Sequence, residues 1–214
     1  MRRRVASSSE MTISTPEGSA GCWLSETEYA AVLEAHGFRP ARTFYRMRIE
    51  SSSPHVPAEM PALPSGVEIV ISDDEATRRR ILAVDNDSFS EHYNFTARDY
   101  DEWWAHWCAG TTRDPAGWWL LTVDGEDAAI CLLDESRAEI GDGYIPLLGV
   151  RKEFRGRGLA QLLLRRAFVY YRELGRAGTQ LGVDAENTTG AVRVYESVGM
   201  TTIRAVQGYS QPID

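Results

Sequence analysis

The sequence predicts a mixed α/β (α+β) fold, one sheet with helices packed on both of its faces. Three observations carry this. Short apolar runs at 67–71, 118–123, 128–133 and 144–150 alternate with stretches of helical period such as 158–174. Asp124-Gly125, set between two of those runs, is a strong hairpin signal, because a tight hairpin turn needs residues that tolerate positive φ. Hydrophobic residues at 43% and aromatics at 10% are enough for a sizeable core.

The elements follow in order. Residues 1–21 are rich in Ser, Thr and Gly without apolar period, and are expected to be disordered. Ser25 with Glu28 three residues on forms a capping-box pattern for a helix whose apolar face is Tyr29, Val32 and Leu33 and whose stop signal is Gly37. A strand is expected over 42–49. Residues 51–65 hold Pro54, Pro57, Pro61 and Pro64 with Ser51–Ser53, the composition of an extended, semi-rigid linker. Beyond it come a strand at 67–71, a helix capped by Asp73 or Asp74 running to Phe89, and a second helix begun by Thr96 or Asp99. That helix carries Trp103, Trp104 and Trp107. The hairpin 118–123/128–133, a strand at 144–150, a helix at 158–174, a strand at 180–183, a helix at 189–198 and a strand at 201–207 complete the set.

One internal similarity stands out. Aligning Gly37 on Gly199 superposes Glu34 on Glu196 and Arg42 on Arg204, with Leu33 over Tyr195. In both places a helix ends at glycine, an apolar residue follows (Phe38, Met200), and the chain enters a strand. At roughly 150 residues per domain, 214 residues make one domain and a fraction.

Charge and cysteines narrow the function. Lys+Arg 23 against Asp+Glu 31 gives −8, which argues against nucleic acid or an anionic membrane surface as partner. Cys22, Cys108 and Cys131 form no C-x-x-C pair and no metal-ligand spacing, so neither a disulfide scaffold nor a metal site is expected. Arg2–Arg4 resembles a signal-peptide start, but Ser7–Ser9 and Glu10 follow where an apolar stretch is required. No apolar run approaches the ~20 residues that span a bilayer. These features point to a cytoplasmic protein.

The informative segment is Leu148-Gly149-Val150-Arg151-Lys152-Glu153-Phe154-Arg155-Gly156-Arg157-Gly158-Leu159-Ala160. Gly156 and Gly158 sit at a helix start, where each loses about 1 kcal/mol of helix propensity relative to Ala. Residues 151–172 hold seven Lys/Arg and one acid, and four of those cations crowd a helix N-terminus that prefers negative charge. A bound anion, a diphosphate above all, relieves both costs, since free amides and cations face it and glycine lets the backbone approach. An exposed basic helix face is the plainer alternative. Walker A and G-x-G-x-x-G patterns both fail in this region: the latter meets Gln161 from Gly156, and Pro146 from Gly141.

Arg155-Gly156-Arg157-Gly158-Leu159-Ala160 fits the acyl-CoA loop [QR]-x-x-G-x-[GA] of the GNAT N-acyltransferases. Gly182-Val183-Asp184-Ala185-Glu186-Asn187 and Ala191-x-x-x-Tyr195-Glu196-x-x-Gly199-Met200 resemble that family's fifth strand and following helix. The resemblance covers about 67–214 and is closest to the tandem-domain actinobacterial branch that includes mycothiol synthase. It implies a mixed sheet of about six to seven strands with about four helices, splayed between strands four and five. It further implies a complete domain over 66–214, a 51–65 linker, and a helix–strand remnant of a first repeat over 22–50.

For the site, the resemblance implies acetyl-CoA as cofactor, lying along Leu148, Gly149 and Val150. The amides of Arg157, Gly158 and Ala160 would hold the diphosphate, with Gly156 and Leu159 in the same loop, Arg155 assisting, and Asn187 on the pantetheine side. Pro146 and Gly149 already weaken this strand as a paired one. Tyr195 is implied as general acid for the departing thiolate, although its helix face (Ala191, Val194, Val198) also suits a core tyrosine. The general base is open among Glu139, Asp142, Glu186 and His92, because Tyr144 stands where the mycothiol-synthase branch has glutamate. His92 is the preferred substrate-side residue. Trp103 and Trp107, at i and i+4, pack in the core or line the acceptor cleft. One member of the Trp118/Trp119 pair is expected to face inward. The acceptor is expected to be a primary amine on a small molecule. A non-catalytic acyl-CoA-binding module and a peptide or protein N-terminal acetyltransferase are the alternatives. The chain is expected to be a monomer or homodimer.

Overall fold

A computed structural model of the chain describes residues 17–23, 26–91, 95–109, 113–186 and 190–212. In chain order its elements are β1 (Glu17–Trp23), α1 (Thr27–Ala35), β2 (Arg39–Glu50), β3 (Val67–Ile71), α2 (Glu75–Phe89), α3 (Tyr100–Cys108), β4 (Arg113–Val123), β5 (Glu126–Asp134), β6 (Asp142–Val150), α4 (Leu159–Glu173), β7 (Gly178–Asp184), α5 (Ala191–Ser197) and β8 (Thr201–Pro212). The strands form one sheet of eight in the order β1-β8-β2-β7-β6-β5-β4-β3. Every neighbouring pair is antiparallel except β6 and β7, which the α4 crossover makes parallel.

Both faces of the β4–β5 hairpin are buried, which is why those strands read as continuous apolar runs and not as alternating ones. Trp119, Leu121, Ala129, Cys131 and Leu133 join Leu163, Leu164 and Phe168 of α4 and Tyr195 of α5 in one core. Trp118, Leu120, Ile130 and Leu132 join Ile81 and Val84 of α2 and Trp103 of α3 in the other. Trp118 and Trp119 are therefore both buried, on opposite faces. The hairpin turn has φ of 51° at Asp124 and 85° at Gly125, as an Asp-Gly turn requires. Asp74 caps α2 by accepting from the Thr77 amide, and Asp99 caps α3 by accepting from Glu102. No helix among the described residues is long and apolar enough to cross a membrane.

The N-terminal third departs from expectation. Glu17–Trp23 is a strand paired with β8, where an irregular segment was expected as far as residue 21. The expected cap Ser25 lies outside the described residues. The observed cap position of α1 is Glu26, without a side-chain cap, and Leu33 is buried while Tyr29 and Val32 are exposed. The Gly37 and Gly199 segments do share a conformation: φ is 88° and 92°, Phe38 donates to the Leu33 carbonyl, and Met200 donates to that of Tyr195. The strands that follow them are not in separate units, however. β2 runs between β7 and β8, pairing with both, so it is interior to the main sheet. The 51–65 segment is not a linker between bodies but a strap across α4. Arg172 donates to the Pro57 and Ala58 carbonyls, Arg166 donates to that of Pro61, and Val56 and Met60 pack on the core.

Where β6 and β7 begin, a buried carboxylate ties three strands. Asp142 of β6 accepts from Arg48 of β2 through Nε (2.7 Å) and Nη2 (2.8 Å), and from Gln180 Nε2 of β7 (2.5 Å). Burial pushes this carboxyl up, but the hydrogen bonds from Arg48 and Gln180, with the Arg48 charge, outweigh it and hold it below the usual range. Beside it Gly143 lies against Tyr171 of α4 so closely that a Cβ would stand 2.1 Å from the ring. Folding thus favours charged Asp142. That contribution is complete above the unfolded carboxyl value of about 4 and is lost as pH falls through the lower folded value. Asp142→Asn should cost about 3–5 kcal/mol at pH 7, and the gap to the wild type should narrow below about pH 4. Urea unfolding at both pH values checks this, and a pH-independent gap would contradict it.

Candidate active site

The β6–β7 ladder is short. It pairs Asp142 with Gly178 through Ile145 with Leu181, and among the described residues goes no further. Each strand continues on its other side, β6 against β5 as far as Val150 and β7 against β2 as far as Asp184. Beyond Ile145 and Leu181 the two strands are held on their outer edges and share no ladder on their inner ones, which leaves a gap in the sheet's pairing there. Pro146, at its apex, has no N–H to give a ladder. The Arg151 amide donates to Ala128 O, which fixes the phase of the β5–β6 ladder. By alternation Leu148 and Val150 then turn their N–H and C=O groups away from β5, into the gap.

The chain leaves β6 through a 3-10 turn at Lys152–Phe154 and enters α4 by two left-handed glycines, Gly156 (φ 76°) and Gly158 (φ 78°). A Cβ at either would meet nothing within 4 Å, so the turn is open on its outer side. The first α4 bond described runs from Leu162 to Gly158 O, which leaves the amides of Leu159, Ala160 and Gln161 without a helical acceptor. Glycines at positive φ, free amides and a helix N-terminus fit a diphosphate. The cations are arranged differently from expectation. Arg155 donates to Val150 O, Ser88 O and Glu91, Lys152 to Glu91, and Arg151 is paired with Asp87. Arg157 donates to Glu153 O and lies over Phe154. The hydrogen bonds and charges of Lys152 and Arg155 hold the Glu91 carboxyl down at about 2. Leu159, the first residue of α4, is buried; Leu148 and Val150 are half-buried, and Gly149 is buried against Ser88 and Phe89 of α2.

Tyr195 sits on α5 with its ring in the core shared by α4 and α5. Burial, then the neighbouring Cys131 and Tyr144, push its phenol well up, so it stays protonated at neutral pH. Tyr144 lies in the closed part of the ladder, opposite Gln180, with its ring beneath the guanidiniums of Arg46 and Arg137, 5.0 and 5.6 Å from its centre. Its hydroxyl would be 3.4 Å from a Cβ on Gly182, two residues beyond Gln180 on β7. Of the carboxylates considered as base, Asp142 is committed to Arg48 and Gln180 at the closed end, Glu139 is exposed, and Glu186 is exposed just past β7. His92 and Asn187 lie outside the described residues. The tryptophans pack: Trp103 is fully buried, donates to Asp85 at 3.0 Å, and meets Trp107 and Trp118 edge-on. Among the described residues no group of three or more His, Cys, Asp or Glu side chains is placed to hold a metal.

Comparison with known proteins then decides the family. A family model for the "Acetyltransferase (GNAT) family" matches residues 78–200, from α2 to the turn after α5. The chain belongs to the GNAT acetyltransferase family. Among curated relatives of this GNAT chain, a mycothiol acetyltransferase from Thermobispora bispora is 30% identical over 184 residues, covering 80% of the chain and 58% of the relative. One from Streptomyces avermitilis is 34% identical over 149 residues, covering 66% and 45%. The chain thus spans about half the length of these relatives. A GCN5-related N-acetyltransferase from Sphaerobacter thermophilus superposes with a TM-score of 0.72 at 27% identity, covering 91% of this chain and 60% of that one. The fold is the GNAT fold with eight strands and five α-helices, more of each than expected.

Ser88, Asp87 and Glu91 were missed as parts of this site. Sequence carries one faint sign of them, a local excess of cations at 151–157 in an acidic chain, but nothing that pairs it with acids some 60 residues away (|i−j| is 61 for Lys152–Glu91). Gly158→Ala should cost about 1–2 kcal/mol, from the backbone alone, since the added methyl meets nothing. A thermal melt checks this, and a loss well beyond that range would mean the turn is packed rather than open.

Proposed function

We propose that this chain transfers an acetyl group from acetyl-CoA to a primary amine of a small molecule, by direct attack of the amine. The observation that carries the proposal is the break in pairing between β6 and β7 together with the open Gly156–Gly158 turn that follows the end of β6. A strand-like arm can thereby run along Leu148 and Val150 while a diphosphate rests on the amides of Arg157, Gly158 and Ala160. Acetyl-CoA supplies the activated acyl group, a thioester. What the chain's residues do follows from their positions. Leu148 and Val150 orient the arm by main-chain hydrogen bonds, and the core beneath α4 and α5 excludes water from the inner side of the gap. Tyr195, kept neutral by burial, holds the proton that the departing thiolate requires. No cysteine nucleophile is needed on this route, and Cys131 is fully buried with its thiol pushed up by that burial.

A small-molecule acceptor is supported by the mycothiol acetyltransferase relatives. Tyr144 beneath two guanidiniums gives the acceptor side a character of its own. Acetyl-CoA should raise the melting temperature, and thiol release over a panel of amines should identify acceptors. Tyr195→Phe should lower turnover by about a hundredfold with CoA affinity nearly unchanged. Unchanged turnover would remove Tyr195 from the chemistry. Thiol release with protein substrates alone would point to protein N-acetylation, and none with any amine to a binding module.

A further inference from the structure

The cations of the loop after β6 are gripped by the end of α2 and by Glu91 just past it. Glu91 receives Lys152 Nζ on one carboxylate oxygen at 2.7 Å and Arg155 Nη1 on the other at 2.8 Å. Arg155 also donates Nη2 to Ser88 O at 3.0 Å and Nε to Val150 O at 3.2 Å. A single guanidinium therefore joins the end of α2, the end of β6 and the start of the loop. Arg151 reaches Asp87 at 3.0 Å in the same seam. The two elements also touch without side-chain slack: a Cβ on Gly149 would stand 2.9 Å from the Ser88 Cβ. A cation at a helix C-terminus is favoured by the helix dipole. The flat fork of arginine suits three acceptors in different directions, which an ammonium on a flexible stem cannot match.

Resting on the acetyl-CoA reading above, we infer that Arg155 and Glu91 are positioning residues, a strut that aims the Gly156–Ala160 amides at the diphosphate, and that Arg155 is not itself a phosphate ligand. The two roles differ in sign. A carboxylate next to a phosphate site repels the ligand, so on charge alone removing Glu91 tightens cofactor binding. If Glu91 anchors Arg155, its removal loosens the loop and binding weakens. Partly exposed ion pairs are individually weak, which sets the size of the effect.

The test is calorimetric titration of CoA into the full chain as wild type, Glu91→Gln and Arg155→Lys, with a thermal melt of each without ligand. Both variants should bind CoA about three- to tenfold more weakly, with ligand-free melting temperatures close to wild type. Glu91→Gln binding CoA as tightly as wild type or tighter overturns the inference. So does Arg155→Lys retaining full affinity, because a point charge would then suffice. Melting temperatures that fall in step with affinity in both variants also overturn it, since the contact would be holding the fold and not the loop. A wild type that binds no CoA defeats the acetyl-CoA reading itself, and the strut with it.

Discussion

The molecule depends on a parallel ladder that stops after four residue pairs. Everything upstream of that stop is pinned hard. Asp142 gathers Arg48 from β2 and Gln180 from β7, and Tyr171 of α4 sits on Gly143 with its hydroxyl within hydrogen-bonding distance of the Tyr144 and Asp134 carbonyls. Everything downstream is held only from the outside, by β5 on one flank and β2 on the other. Strand edges that share no ladder stay apart only because they cannot swing together. The closed end resists that as a hinge with three bolts, and β2 keeps β7 on its own course.

This makes the N-terminal third part of the machinery. β2 supplies both the Arg48 that neutralises Asp142 and the ladder that occupies the far edge of β7. Without it β7 would have two unpaired edges beyond Leu181, and a strand in that position pairs with whatever is near. The strap over 51–65 serves the same end. By tying Arg166 and Arg172 of α4 to its carbonyls, it fixes the helix whose first turn forms the cradle.

Electrostatics are as local as the geometry. A chain of net charge −8 keeps four cations at one helix start, where the dipole disfavours them, and the last turn of α2 provides the compensation with Asp87, Glu91 and Ser88 O. The amides of Leu159, Ala160 and Gln161 have no acceptor within the helix.

How much of this was legible follows from the range of the interactions. Strand β3, the Asp74 and Asp99 caps, the Asp124-Gly125 turn and the glycine stops at Gly37 and Gly199 depend on residues within a turn of each other, and they were read at or close to their observed places. The glycine turn at 156–158 was legible because its cost is local: glycines and cations at a helix start are unfavourable. The place of β2 was not legible, because apolar period marks a strand but not its neighbours. Proline-rich composition likewise cannot tell a linker from a strap. The partners of Arg155, the commitment of Asp142 to structure and the opposed burial of Trp118 and Trp119 rest on contacts between segments distant in sequence. By itself the sequence determined the family and most elements from β3 onward, with the glycine turn before α4, since local backbone energetics write those into composition and spacing. The tertiary structure alone decided which strand flanks which, where the ladder stops and which charges are already spent, because those are set by packing chain segments that carry no mark of one another.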